Sequence, residues 1–301
     1  MNKVVIVVGP TAVGKTALSI ELAKKFNGEI ISADSVQIYK GLDVGSAKVT
    51  SEEADGIIHH MLDIVEPTAT YSTGEYASDA KKVIEEIHKK GKIPIMVGGT
   101  GLYVNSVLFD LGSTCGRDEE YRASLMQIAK EQGRERLHEM LNDVDPESAS
   151  LLHVNQLDRI IRALEIYHIT GKKKSQNKNS TKANYDYILI GLTDDRDVLY
   201  DRINKRVDKM LENGLLEEVD RLIKQGLTLE HQSMQGIGYK ETYSYLTNKC
   251  TKEEFIDKLK QNSRNYAKRQ FTFFKKMPNI VWKKYAEKEE IFNLVGDFIN
   301  E

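Results

Sequence analysis

Lys3-Val4-Val5-Ile6-Val7-Val8, followed by Gly9-Pro10-Thr11-Ala12-Val13-Gly14-Lys15-Thr16, decides the fold. After Lys3 the first stretch is an unbroken apolar run, the pattern of a parallel strand buried on both faces. The second fits G-x-x-x-x-G-K-[ST] and stands before a helical pattern over 17–26, where Leu18, Leu22 and Phe26 recur every four residues. Its glycines let the backbone curl so that N–H groups and the helix N-terminus face an anion. Lys15 adds a point charge, and Thr16 offers a hydroxyl to Mg²⁺. The spacing identifies a phosphate site and leaves open which phosphate compound it takes.

Outward from this loop, strand-like runs at 29–33 and 93–97 flank a helical pattern over 78–90 that Gly91 stops. Strands alternating with helices predict an α/β fold: a P-loop NTPase-like parallel sheet core flanked by helices, with a helical insertion. Residues 1–116 form the first part of the core, and 117–185 a mostly helical insertion ending in a Lys/Ser/Asn-rich stretch at 171–184 that reads as a mobile loop. Residues 186–301 return to the core with a strand at 187–192, helices through Phe274 and a last strand at 279–283. No internal repeat or coiled coil is visible.

With 301 residues, 40% of them hydrophobic and 29% charged, the chain can bury a sizeable core. No apolar run has the length of a membrane span, and the N-terminus runs straight into a strand rather than a targeting peptide. Cys115 and Cys250 are isolated thiols without a CxxC, which argues against a zinc site or a disulfide framework. The expected compartment is the cytoplasm. A net charge of −2 gives no global sign of nucleic acid. Two local basic runs, Lys172, Lys173, Lys174, Lys178 and Lys182, then Arg264, Lys268, Arg269, Lys275 and Lys276, read either as solvated faces or as an RNA groove.

Three features surround the phosphate loop. Asp34 heads Asp34-Ser35-Val36-Gln37-Ile38-Tyr39 at the carboxyl end of the second strand, the edge where open parallel sheets bind ligands. Its carboxylate can hold Mg²⁺, accept a proton from a nucleophile, or simply form a turn. Gly98-Gly99-Thr100-Gly101-Leu102-Tyr103 makes a tight turn at the same edge. Arg202 and Arg206, one helical turn apart, share a face that can clamp a polyphosphate or lie in solvent with Asp201 and Asp208.

Taken together these stretches resemble the bacterial tRNA dimethylallyltransferases (tRNA isopentenyltransferases). The match runs nearly end to end, through GPTAVGKT at 9–16, ISADSVQIYKGLDVGSAK at 31–48, HHMLD at 59–63 and VGGTGLYV at 97–104. It continues through DRIIRALEIYHITGK at 158–172, DRINKRVDKMLENGLLEEV at 201–219, QGIGYKE at 235–241 and YAKRQFTFFK at 266–275. The order of DSxQxY and GGTGLY after this P-loop is specific. Ser46 and Val49 depart from the Thr and Pro usual near GSAK, and Gly112–Gly116 lacks the usual prolines, which bears on two loops.

The resemblance implies transfer of the dimethylallyl group from dimethylallyl diphosphate to N6 of adenosine 37 beside the tRNA anticodon. By it, Gly9–Thr16 and Arg206 bind the diphosphate, Lys15, Thr16 and Mg²⁺ sharing its charge with Arg206, and Asp34 accepts from N6 and takes the proton. It further implies that Asp34, Ser35, Val36, Gln37, Thr100, Arg122, Asp158, Arg159 and Arg162 line the RNA. Gln235, Gly236, Gly238, Tyr239, Lys240, Lys268, Arg269, Gln270 and Lys275 join them. The expected partners are tRNA, through its anticodon stem-loop, and dimethylallyl diphosphate, with no membrane and no obligate protein partner: a monomer. A small-molecule P-loop kinase, a free-adenylate isopentenyltransferase and an inactive RNA-binding regulator are the competing readings.

Overall fold

The opening apolar run forms the strand around which the core is assembled in this computed structural model, which describes residues 2–109, 116–176 and 182–301. The chain begins β1 (Lys3–Val8), α1 (Lys15–Lys25), β2 (Gly28–Ser32), α2 (Ser51–Ala54), β3 (His59–His60), α3 (Thr73–Lys89), β4 (Ile93–Gly98) and α4 (Gly101–Leu108). Four helices follow: α5 (Glu119–Gln132), α6 (Arg134–Val144), α7 (Pro146–Leu151) and α8 (Leu157–Thr170). The remainder is β5 (Asp186–Thr193), α9 (Arg196–Glu212), α10 (Leu215–Lys224), α11 (Tyr239–Leu246), α12 (Lys252–Phe274), β6 (Ile280–Lys284) and α13 (Lys288–Asn300). No helix among the described residues is long and apolar enough to cross a membrane.

The chain divides into two compact units, Met1–Leu108 with Asn184–Glu301, and Phe109–Ala183. The first holds one six-stranded, wholly parallel sheet in the order β3-β2-β4-β1-β5-β6. Val5 of β1 pairs with Ile95 on one side and Ile188 on the other. Both faces of β1 are covered, which is why its sequence is apolar without alternation. Leu18 and Leu22 of α1 and Ile291 and Val295 of α13 pack into the same core and are fully buried, each contributing about 1.5–3 kcal/mol by leaving water.

Element ends follow local chemistry. Gly14, at φ 102°, turns the loop directly into α1, so the helix starts at Lys15 rather than 17. α3 begins at Thr73 rather than 78 because Ser72 and Glu75 form a reciprocal capping box. Strand β3 is absent from the sequence reading; two residues suffice to pair Ile30 with His59 and Ile31 with His60.

The second unit is the helical insertion α5–α8, with its own core of Leu125, Leu137, Leu141, Ile160 and Leu164. After Gly171 caps α8 in the left-handed conformation, a 3-10 turn at Lys174–Gln176 is pinned by Ser175 N–H donating to Asp145 at 3.0 Å. Positions 177–181, with Lys178, and 110–115, with Cys115, lie outside the described residues. Cys250 is a free thiol.

Candidate active site

The sheet order brings three loops together at the carboxyl edge. β4 lies between β1 and β2, so the Gly98-Gly99 turn separates the phosphate loop from Asp34. Close packing there needs glycine. A Cβ on Gly98 would lie 2.1 Å from the Ala33 carbonyl, and one on Gly9 2.5 Å from that of Leu192. Gln270 of α12 ties the loops together: its Oε1 accepts from Thr11 N–H at 2.9 Å, and its Nε2 donates to Gly99 O at 3.0 Å.

Lys15 donates from Nζ to Pro10 O at 2.8 Å. Burial, then the nearby Arg206 charge, bring its pKa down to about 7 against the opposing pull of Asp34. Thr16 lies exposed in the same chamber. Of the readings of Asp34, the turn is the one its contacts show. Its Oδ1 accepts from Val36 and Gln37 N–H at 2.9 and 3.3 Å, forming a turn, while the residue also walls both chambers of the site. Thr100 Oγ1 accepts from Ser35 N–H at 3.1 Å, and Gln37 Nε2 donates to Ser46 O at 3.3 Å.

Arg202 and Arg206 divide between the two readings of their shared face. Arg202 turns to Asp194 at 2.8 Å, whereas Arg206 points inward and donates from Nη2 to Ser46 O at 3.4 Å. Burial disfavours the Arg206 charge and Asp34 supports it. One turn of α9 therefore separates a surface pair from a site residue.

Two cavities meet here. The first, a cleft of about 660 Å³ open to solvent, is walled by Lys15, Thr16, Ser32, Asp34, His59 and Arg206. The second, about 1160 Å³, is walled by Asp34, Arg206, Met210, Gln235, Tyr266 and Arg269. Thr11, Asp34, Arg206 and Tyr266 belong to both. Tyr266, which sequence reasoning missed, stands beside Thr100 and Gln270; burial and then the Asp34 carboxylate push its hydroxyl pKa up to about 12. The outer flank of its ring carries the Arg269 guanidinium, 5.6 Å from the centroid. Its sequence signals were its place at the head of the YAKRQFTFFK stretch and within the basic run of α12.

The remaining expected residues separate into four groups. Ser35, Val36, Gln235 and Gly236 wall the second cavity, while Lys240, Lys268 and Lys275 are exposed. Tyr239 cannot meet RNA with its side chain: it is fully buried, and its hydroxyl donates to Glu218 at 2.7 Å. Gly238 beside it is buried too, its N–H donating to Glu241 at 2.9 Å. Gln270, buried between the loops, is a brace rather than a surface contact. In the insertion unit, Arg122 and Arg162 converge on the buried Glu165 at 3.2 and 2.6 Å. Although burial opposes it, Arg162 and its neighbours hold that carboxyl below the usual range. Asp158 and Arg159 are exposed on the first turn of α8. Burial, with Arg159 and Arg162, lowers the Lys174 pKa, so the first basic run is not uniformly solvated.

The family model described as IPP transferase matches residues 37–277. The chain is 52% identical over 284 residues to the tRNA dimethylallyltransferase of Bacillus cereus (strain B4264), covering 93% of this chain and 89% of that one. It is 49% identical over 286 residues to that of Halalkalibacterium halodurans, covering 93% and 90%. Among solved structures it resembles the full-length tRNA isopentenylpyrophosphate transferase of Bacillus halodurans, with TM-score 0.75, 45% identity and 100% and 97% coverage. It also resembles a eukaryotic dimethylallyltransferase acting on tRNA, with TM-score 0.85, 32% identity and 100% and 80% coverage.

Proposed function

Since the chain belongs to the IPP transferase family, we propose that it transfers the dimethylallyl group of dimethylallyl diphosphate to N6 of adenosine 37 of tRNA, releasing diphosphate. The observation that carries this reading is the junction of the two cavities at Asp34, Arg206, Thr11 and Tyr266. One chamber holds the phosphate loop; the other is bordered by Arg269 and α12. Two substrates entering from different chambers meet at one carboxylate.

The diphosphate is a leaving group. Lys15, Thr16 and Arg206 face the place where negative charge grows as the allylic C–O bond breaks, and fixed, preorganised donors stabilise it. Mg²⁺ fits as a companion of the diphosphate. The Thr16 hydroxyl is a hard oxygen donor in the first chamber, and this metal takes one or two protein oxygens alongside phosphate oxygens and water. When bound it would neutralise part of the diphosphate charge. Asp34, its Oδ1 engaged by the turn, presents Oδ2 to accept from the adenine N6 and take the proton released as the C–N bond forms. An adenine reaches this junction only when extruded from its stack, as in a single-stranded anticodon loop. We place this chemistry in the cytoplasm, with its tRNA.

The test is transfer from labelled dimethylallyl diphosphate to undermodified tRNA and, separately, to AMP. Label should appear in tRNA only. Asp34→Ala should slow single-turnover transfer by roughly 10²–10⁴, the range for a positioned base, with diphosphate binding nearly intact. Faster transfer by Asp34→Asn than by Asp34→Ala makes orientation the larger part of the role. Asp34→Ala weakening diphosphate binding as much as transfer would put Asp34 on the wrong ligand, and labelled AMP would replace the RNA acceptor.

A further inference from the structure

The loop at 42–47 walls both chambers, and its anchor lies outside them. The N–H groups of Asp43 and Val44 donate to Oε2 of Glu218, on α10, at 2.9 and 2.8 Å, and that of Gly45 donates to Oε1 at 3.0 Å. The Glu218 carboxylate is buried and accepts a fourth hydrogen bond, from the Tyr239 hydroxyl. That hydroxyl accepts in turn from Ser46 N–H at 3.1 Å. The Tyr239 ring fills the space over Gly45, where an added Cβ would lie 2.6 Å from it. Successive N–H groups closing on one carboxylate make an internal anion nest, and charge-assisted bonds of this kind are strong.

What the nest holds faces the reaction. The Ser46 carbonyl accepts from Arg206 and from Gln37. Gly45 and Ser46 wall the second cavity, and Ala47 the first. Shifting the loop shifts the acceptor that orients the Arg206 guanidinium, and small misplacements of a charged group cost heavily in a preorganised site.

We propose that Glu218, together with Tyr239, is a positioning residue that aims Arg206 at the leaving diphosphate by fixing the loop at 43–46. The inference rests on the diphosphate reading of the first chamber. Glutamine at 218 keeps the shape but offers one acceptor oxygen and turns an NH₂ toward N–H donors, leaving at least one buried N–H without a partner. Tyr239→Phe keeps the ring over Gly45 and deletes only the hydroxyl.

The experiment titrates inorganic diphosphate with Mg²⁺ into the intact protein and its Glu218→Gln, Tyr239→Phe, Arg206→Ala and double variants, with melting curves recorded alongside. Glu218→Gln should weaken diphosphate binding roughly 10- to 100-fold, the effect of stranding a buried polar group, and Tyr239→Phe should weaken it less. The deciding readout is the cycle with Arg206→Ala, in which adding Glu218→Gln or Tyr239→Phe should cost almost nothing further. A merely structural role predicts additive losses, which would overturn the proposal. If Glu218→Gln does not fold, the Tyr239–Arg206 cycle decides alone. Weakened binding by Arg206→Ala with none by the other two defeats the positioning role only. Undiminished binding by Arg206→Ala defeats the diphosphate reading beneath it.

Discussion

Lys15 carries the charge most sensitive to what its chamber holds. Burial and Arg206 leave its pKa near 7, and a bound diphosphate favours the protonated form and raises it again. Binding above about pH 7 therefore takes up a proton at Lys15, and affinity declines as pH rises toward the pKa of the complex. In folding the sign is opposite. Between about pH 7 and 10.5 the unfolded lysine holds more protons than the folded one, so the unliganded protein gains stability as pH rises across that window. Calorimetry of diphosphate binding at about pH 8, in buffers of different ionisation heat, counts the protons. Lys15→Arg, always charged, should bind with a smaller uptake; equal counts would show that Lys15 is already protonated when empty. The Gly9–Thr16 loop was legible in sequence because its groups are contiguous and its backbone does the binding. Glu218 was not, because its partners in the loop at 43–45 lie 173 to 175 positions away. Spacing alone did not separate Arg206 from Arg202; the family resemblance singled out Arg206, and the fold pairs Arg202 with Asp194 instead.

Helix α12 and the residue that follows it do three jobs with three faces. Phe255, Leu259 and Phe274 enter the core, Tyr266 and Gln270 face the loops, and Lys268, Arg269 and Lys275 are exposed. The sequence predicted helices through Phe274, but not which polar residues they turn inward; in the structure a Thr251–Glu254 capping box starts this one. Arg264 leaves the basic set: it donates to Asn204 at 2.7 Å, bracing α12 on α9. If Lys268, Arg269 and Lys275 track RNA phosphates, their triple Ala variant should flatten the salt dependence of tRNA binding by about two units, near 0.7 per contact on single strands. Diphosphate affinity should hold. A salt slope equal to that of the unaltered protein would make this face ordinary solvated surface. Strand β3 was not legible either, because two residues carry no periodicity to read, and only pairing with β2 makes them a strand.

At the scale of the whole molecule, the insertion leaves and rejoins the sheet unit at one point. Asn184 N–H donates to Leu108 O at 2.8 Å, and its side-chain amide donates to Val107 O at 3.0 Å. Each unit has its own buried cluster. Segments inserted where the flanking ends are adjacent can be excised without breaking the host core. Replacing 110–182 with a short Gly/Ser linker should therefore leave a cooperatively melting protein that binds inorganic diphosphate within a few-fold of the intact chain. Every phosphate-loop contact named above lies in the retained unit. The same chain loses Arg122, Arg159 and Arg162, three residues proposed to meet RNA. Its tRNA affinity should fall with a salt slope flatter by about two units, on the same per-contact scale, and transfer at subsaturating tRNA should fall in proportion. Point variants separate charge from fold. Arg159 is exposed, so Arg159→Ala should weaken tRNA binding without moving the melting curve. Arg162→Ala should lower stability as well, because it withdraws a partner from the buried Glu165 carboxylate, and removing one member of such a pair is costly. An excised protein that modifies tRNA at the intact rate would remove the insertion from RNA recognition. One that fails to melt cooperatively would mean that the sheet unit needs the insertion in order to fold.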